Sequence, residues 1–300
     1  MGGSFVLSFA AAAALAGVLP AAPGPLAITQ VELHQFEDGP ALPAAYDFRP
    51  GETVFLSFRI SGYRVSADER ILLDYRIEAR DGEGVPLAEA VSGKVDAALA
   101  VEDRDWMPKV RYDVLVPPLA PGGVYRLLVR LADKLGGARV NKEITFRVQG
   151  RDVPPSNELV VRNFRFLRSE EDAEPLAVAA YRPGDTVWAR FDITGYKLLE
   201  RNRFQVEYGV SVLRPGGEVL YSEPNAASET GESFYPKRYV PGILSLKLDA
   251  DIAPGEYAIV LGVRDGIGGQ KHESRHSFRI EEPGTARRGE NKTGAPALPP

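Results

Sequence analysis

Phe48-Arg49-Pro50-Gly51-Glu52-Thr53-Val54-Phe55-Leu56-Ser57-Phe58-Arg59-Ile60 returns 133 residues later as Tyr181-Arg182-Pro183-Gly184-Asp185-Thr186-Val187-Trp188-Ala189-Arg190-Phe191-Asp192-Ile193. Each copy opens on a Pro-Gly turn and continues with apolar residues at every second position. Val54, Leu56, Phe58 and Ile60 form one face in the first copy, and Val187, Ala189, Phe191 and Ile193 form it in the second. A period of two places alternate side chains on opposite faces of an extended strand, so both stretches predict strands with one buried face.

The register holds well beyond this strand. Ile60-Ser61-Gly62-Tyr63 matches Ile193-Thr194-Gly195-Tyr196, Tyr75 matches Tyr208, and Leu119-Ala120-Pro121-Gly122 matches Ile252-Ala253-Pro254-Gly255. After a one-residue deletion Tyr125 pairs with Tyr257, Asp133 with Asp265, Gly136-Gly137 with Gly268-Gly269, and Phe146 with Phe278. The chain is therefore expected to hold two copies of one module, 28–148 and 159–282. The segment 149–158, with Pro154-Pro155, reads as a short stiff linker. Each module carries 16 basic and 19 acidic residues. Residues 283–300 are Pro, Gly and charge without periodicity, a composition that predicts disorder.

Further alternations complete the pattern. Ile71, Leu73, Tyr75, Ile77 and Ala79 share a face, matched by Phe204, Val206, Tyr208, Val210 and Val212. Strands are also expected at 28–36, 86–92, 110–116 and near the module end, with counterparts at 159–167, 219–222, 243–248 and the second module's end, seven or eight per module. Only Ser66 to Arg70 suggests a turn of helix. One apolar and one polar side per strand is the pattern of antiparallel sheets packed face to face, so the fold class is all-β.

Leu119-Ala120-Pro121-Gly122-Gly123-Val124-Tyr125-Arg126-Leu127 and Ile252-Ala253-Pro254-Gly255-Glu256-Tyr257-Ala258-Ile259 resemble the Leu-x-Pro-Gly-x-Tyr-x-Leu segment of immunoglobulin-like and fibronectin type III modules, including those of bacterial exported proteins. The resemblance implies two tandem antiparallel immunoglobulin-like β-sandwiches. It also implies a tyrosine corner, with the hydroxyls of Tyr125 and Tyr257 bonding back to backbone a few residues upstream. Antibody domains add a Cys pair, but this chain has no cysteine. Its cores rest on packing alone.

The 300 residues carry a net charge of −5, which removes the electrostatic case for nucleic acid. Zero cysteine excludes thiolate nucleophiles, Cys-ligated zinc and iron–sulfur clusters. The apolar run Phe5 to Leu19 is short for a bilayer span and is followed by small residues and Pro, so residues 1–27 read as a secretory signal peptide. The mature chain is then expected to have no membrane span and to be exported, periplasmic or extracellular.

Candidate chemistry is sparse. His272 and His276 lie four residues apart on an expected strand, roughly 13 Å, too far to share one metal ion. His34 has no recognisable nucleophile motif around it, and no Gly-x-Ser-x-Gly occurs. Asp133 and Asp265 end strands ahead of Gly-Gly turns, where calcium ligation competes with simple turn capping. Aromatic residues off the apolar faces give the better hint: Phe55 and Trp188 at equivalent positions, Trp106 in module one, and Phe234, Tyr235 and Tyr239 in module two. They suit a binding surface or the covering of a sheet face. The sequence thus predicts a non-catalytic binding, adhesion or spacer protein of the cell envelope, with a protein or glycan partner and no cofactor. A carbohydrate-binding protein using the aromatics is the alternative, and a hydrolase ranks below both.

Overall fold

The computed structural model describes residues 24–103 and 105–282. The expected signal segment, apart from residues 24–27, and the expected tail lie outside the described residues. Eight strands fall in the first repeat: β1 (Ala27–His34), β2 (Asp47–Phe48), β3 (Thr53–Ser61), β4 (Arg70–Arg80), β5 (Val91–Ala98), β6 (Lys109–Leu115), β7 (Gly123–Asp133) and β8 (Arg139–Val148). Eight more follow in the second: β9 (Val160–Leu167), β10 (Ala180–Tyr181), β11 (Thr186–Thr194), β12 (Phe204–Leu213), β13 (Val219–Gly231), β14 (Tyr239–Lys247), β15 (Gly255–Asp265) and β16 (Lys271–Ile280). Among the described residues the helical elements are two short 3-10 turns, Val101–Asp103 and Glu200–Asn202.

Strand pairing is the same in both repeats. A three-stranded sheet runs β1-β3-β6, and a five-stranded one runs β2-β8-β7-β4-β5; their counterparts are β9-β11-β14 and β10-β16-β15-β12-β13. The pairs are antiparallel except at the two-residue strands β2 and β10, which run parallel to β8 and β16. They stand where the chain crosses from the small sheet to the large one. Each repeat is thus an immunoglobulin-like sandwich, all-β as the alternation required.

The alternating faces meet inside. Val54, Leu56, Phe58 and Ile60 of β3 pack with Ile71, Leu73 and Ile77 of β4 and Leu127 and Val129 of β7, and Val187, Phe191, Ile259 and Leu261 do the same in the second repeat. Phe58 and Phe191 are wholly buried. Burying such a side chain contributes about 1.5–3 kcal/mol, and with no disulfide these clusters hold the sheets together.

The tyrosine corner forms in both copies. Tyr125 Oη donates to Pro121 O at 2.7 Å, and Tyr257 Oη donates to Ala253 O at 2.8 Å. Burial pushes the Tyr125 phenol up to about 12, so it remains a donor at any physiological pH.

Several boundaries differ from the sequence reading. Ala27 already pairs with Ser61, so the first repeat starts before residue 28. The expected strand at 86–92 is displaced: Pro86, which has no N–H to give a ladder, makes only an isolated bridge to Arg80, and β5 begins at Val91. Its counterpart extends from Val219 to Gly231, far past residue 222, with register shifts against β12 on either side of Val210 and Val212. Ser66 to Arg70 closes a turn in which Glu69 N donates to Ser66 O, without a helix.

Candidate functional site: the junction between the repeats

The turn after β4 is a tight one. Asp81 N donates to Val85 O and Gly84 N donates to Asp81 O. Gly84 takes φ +88°, a conformation that suits glycine alone. Inside this turn Asp81 is 1% exposed, and its Oδ1 accepts the backbone N–H groups of Glu83 and Val85 at 2.9 and 2.8 Å.

Its second oxygen faces the other repeat. Tyr235 Oη donates to Asp81 Oδ2 at 2.8 Å and Arg238 Nη2 donates to it at 2.7 Å, while Arg238 Nη1 reaches Glu83 Oε2 at 2.8 Å. Tyr235 and Arg238 belong to the segment joining β13 to β14, so the second repeat grips the first by one loop. The Tyr235 ring packs into the first repeat's apolar cluster, and Arg238 lies 5.9 Å from that ring's centroid. Burial, above all, raises the Tyr235 phenol, and the adjacent Asp81 carboxylate adds to it. The phenol therefore stays protonated and donates. A buried carboxylate with four donors on it is fully satisfied, which is the condition under which such a group helps hold an interface.

A second clamp lies along the linker. Arg151 Nη2 donates to Asp192 Oδ2 at 2.7 Å, Asn163 Nδ2 donates to the same oxygen at 2.9 Å, and Arg151 stacks 5.5 Å from the Tyr239 ring centroid. Gly150 touches the Ala120–Gly122 backbone so closely that a Cβ would come within 2.2 Å of Ala120 O. Contacts thus lie at both ends of the junction.

The sequence-selected aromatics scatter. Trp106 and Phe234 are exposed, at 40% and 51%, while Phe55 and Trp188 are half-buried on outer sheet faces. Tyr235 and Tyr239 correct the expectation of an aromatic surface: both are buried, the first by insertion into the neighbouring repeat and the second under Arg151 and beside β11.

The carboxylates at the strand ends cap turns. Asp133 Oδ1 accepts Leu135 N and Gly136 N, and Oδ2 accepts Arg64 N at 2.8 Å; Asp265 repeats this with Ile267 N, Gly268 N and Lys197 N. Oxygens already engaged by N–H donors present a poor face to a cation, and among the described residues no group of three His, Asp or Glu side chains converges. His276 stacks on Phe164 with ring centroids 3.5 Å apart, and burial lowers its pKa. His34 does have a partner that the sequence concealed: its Nε2 lies 2.7 Å from Ser57 Oγ and its Nδ1 2.9 Å from Gly39 O. Both side chains are buried, which keeps a substrate from the hydroxyl, and the pair pins the β1–β2 loop.

Sequence reasoning missed Asp81, Arg238 and Asp192. The signal available was their departure from the repeat: Asp81 aligns with Arg214, and Asp192 with Arg59.

No protein-family model and no curated protein matches the chain. Among solved structures it is similar to the C-terminal domain of the Streptococcus agalactiae antigen I/II polypeptide BspA, at 10% identity and TM-score 0.30, over 85% of this chain and 100% of that one. The C-terminal domain of the antigen I/II-family protein AspA of Streptococcus pyogenes gives 9% and 0.32, over 86% and 100%. A family 123 glycoside hydrolase from Clostridium perfringens gives 13% and 0.29, over 41% and 27%. Likenesses at this level carry no argument about function, and the fold stands on the strand pairing itself.

Proposed function

We propose that this chain is a non-catalytic binding or spacer protein of the bacterial envelope or exterior, exported on an N-terminal signal that ends ahead of Ala27 and built of two modules, the first opening with β1 at Ala27 and running to 148, the second spanning 159–282, linked by 149–158. The observation that supports it is the junction. Asp81 with Tyr235 and Arg238 bridges the two repeats, and Arg151 ties the linker to Asp192; on this reading these contacts hold the modules at one angle. A fixed angle is what a spacer needs, and it presents loops and sheet faces of two modules as one rigid surface. A hydrolase would need a reactive group open to substrate, and the buried His34–Ser57 pair supplies none.

Small-angle scattering of the mature chain tests the reading. One set of dimensions matching a fixed two-module particle is expected, and Asp81→Ala combined with Arg151→Ala should broaden the distance distribution. Equal flexibility in both proteins would overturn the spacer reading, as would turnover of a glycan or peptide substrate. Cell fractionation checks the address, with the chain expected outside the cytoplasm.

A further inference from the structure

The outward face of the first repeat's large sheet holds an arrangement that its fold does not need. In the antiparallel pair β4–β7, Arg76 stands directly opposite Arg130 and Arg80 directly opposite Arg126. Like charges directly opposite each other across strands are destabilising. Glu78 lies between the two pairs, 3.0 Å from Arg76 Nε, 2.8 Å from Arg80 Nη2 and 3.6 Å from Arg130 Nη1, and Glu143 lies 3.2 Å from Arg126 Nε. Two carboxylates thus serve four guanidinium groups. Arg76 and Arg130 line a groove that Lys94 and Arg139 extend, with Ser92 and Asn141 beside them; its one carboxylate, Asp74, stands opposite Lys94 and is 3.7 Å from Lys134 Nζ. All this stands on a chain whose net charge is −5.

The second repeat shows that the sheet forms without these charges. The positions of Arg76 and Arg130 are taken by Gly209 opposite Gly262, those of Arg80 and Arg126 by Leu213 opposite Ala258, and that of Glu78 by Ser211. Strand order is retained, and the β4–β7 register recurs in β12–β15. The sheet therefore does not require the four arginines.

We propose that this face binds an acidic polysaccharide, with uronic-acid carboxylates held by Arg76, Arg80, Arg126 and Arg130. The proposal deepens the binding reading above and rests on it. The four guanidinium side chains are 40–59% exposed, and a planar guanidinium fits a carboxylate through two parallel N–H bonds. Arg76 and Arg80 lie four residues apart along one strand, roughly 13 Å, a span longer than one sugar unit. Among the described residues none of the exposed large apolar side chains lines the groove at Arg76 and Arg130, and exposed Val124 lies at the far edge of the face, two positions before Arg126. A folded protein partner would want an apolar centre there, whereas a hydrated polyanion does not. The affinity is ionic and falls as salt rises.

Affinity electrophoresis of the mature chain through gels containing polygalacturonate tests this, with neutral dextran and poly-glutamate gels alongside. Retardation by polygalacturonate alone is expected, weakened at least about tenfold in Arg76→Gln/Arg130→Gln and kept in Arg275→Gln, which changes the second repeat. An unshifted melting temperature of the double variant shows that the loss is not unfolding. No retardation, retardation equal in the double variant, or equal retardation by poly-glutamate, which would mean an acidic protein partner, each overturns the proposal. The scattering test is independent, so a rigid two-module particle that ignores polygalacturonate refutes this inference and leaves the spacer reading standing.

Discussion

The turn after β4 and the turn after β12 have the same backbone and opposite chemistry. Asp81 N donates to Val85 O and Gly84 N to Asp81 O; Arg214 N donates to Glu218 O and Gly217 N to Arg214 O. Gly84 and Gly217 share φ +88°. The glycine is what the turn requires. The residue three places earlier is free, and it is Asp where a second module docks and Arg where none of the described residues does. Positions shared by the repeats thus specify the sandwich, and positions that differ specify what each sandwich touches.

This contrast can be broken at several levels. The largest expected effect falls on shared positions: Phe58→Ala and Phe191→Ala, both at fully buried sites, should each cost about 3–5 kcal/mol in denaturant unfolding, and unequal costs would show that the cores are not equivalent. Next comes the junction. Asp81→Ala leaves Arg238 and Tyr235 facing an empty site and should cost about 3 kcal/mol, splitting a single calorimetric transition into two, while Arg214→Ala should stay within about 0.5 kcal/mol. A single transition of unchanged midpoint in Asp81→Ala would mean that the junction does not couple the repeats. Tyr125→Phe and Tyr257→Phe remove one hydrogen bond each and should cost about 1 kcal/mol apiece by the same measurement.

The smallest effect concerns pH. Burial holds the His276 imidazole below its usual value of 6.5, so on acidification the unfolded chain takes up this proton before the folded one. The stability it contributes is present above about 6.5 and is lost as pH falls from there through the lowered value. Ile144 occupies the matching position in the first repeat. His276→Ile should therefore flatten the stability profile of the second repeat between neutral and mildly acid pH, and an unaltered profile would assign the loss to other groups.

Much of the sandwich was legible because alternation and turn chemistry are local. Val54 to Ile60 announces its buried face without reference to any partner, and Pro121 to Tyr125 announces its corner. The junction was hidden for the opposite reason. Tyr235 and Asp81 lie 154 positions apart, and nothing near Tyr235 distinguishes a ring that enters another module from one that meets water. The sequence at 86–92 puts strand β5 too early because Leu87 and Ala88 suit a strand, although Pro86 withholds a donor. The arginine pairs are visible only once register sets position 76 against 130 and 80 against 126.

The edge strand β13 has one more consequence. It is thirteen residues long and mostly exposed, a shape that invites another chain's strand to pair with it. Pro224 interrupts its row of donors, register shifts on both sides of Val210 and Val212 bend it, and Glu223 and Glu229 add charge. These are the devices that keep edges from nucleating cross-β aggregates. A chain without disulfides to hold it shut is thereby kept from polymerising through its own backbone.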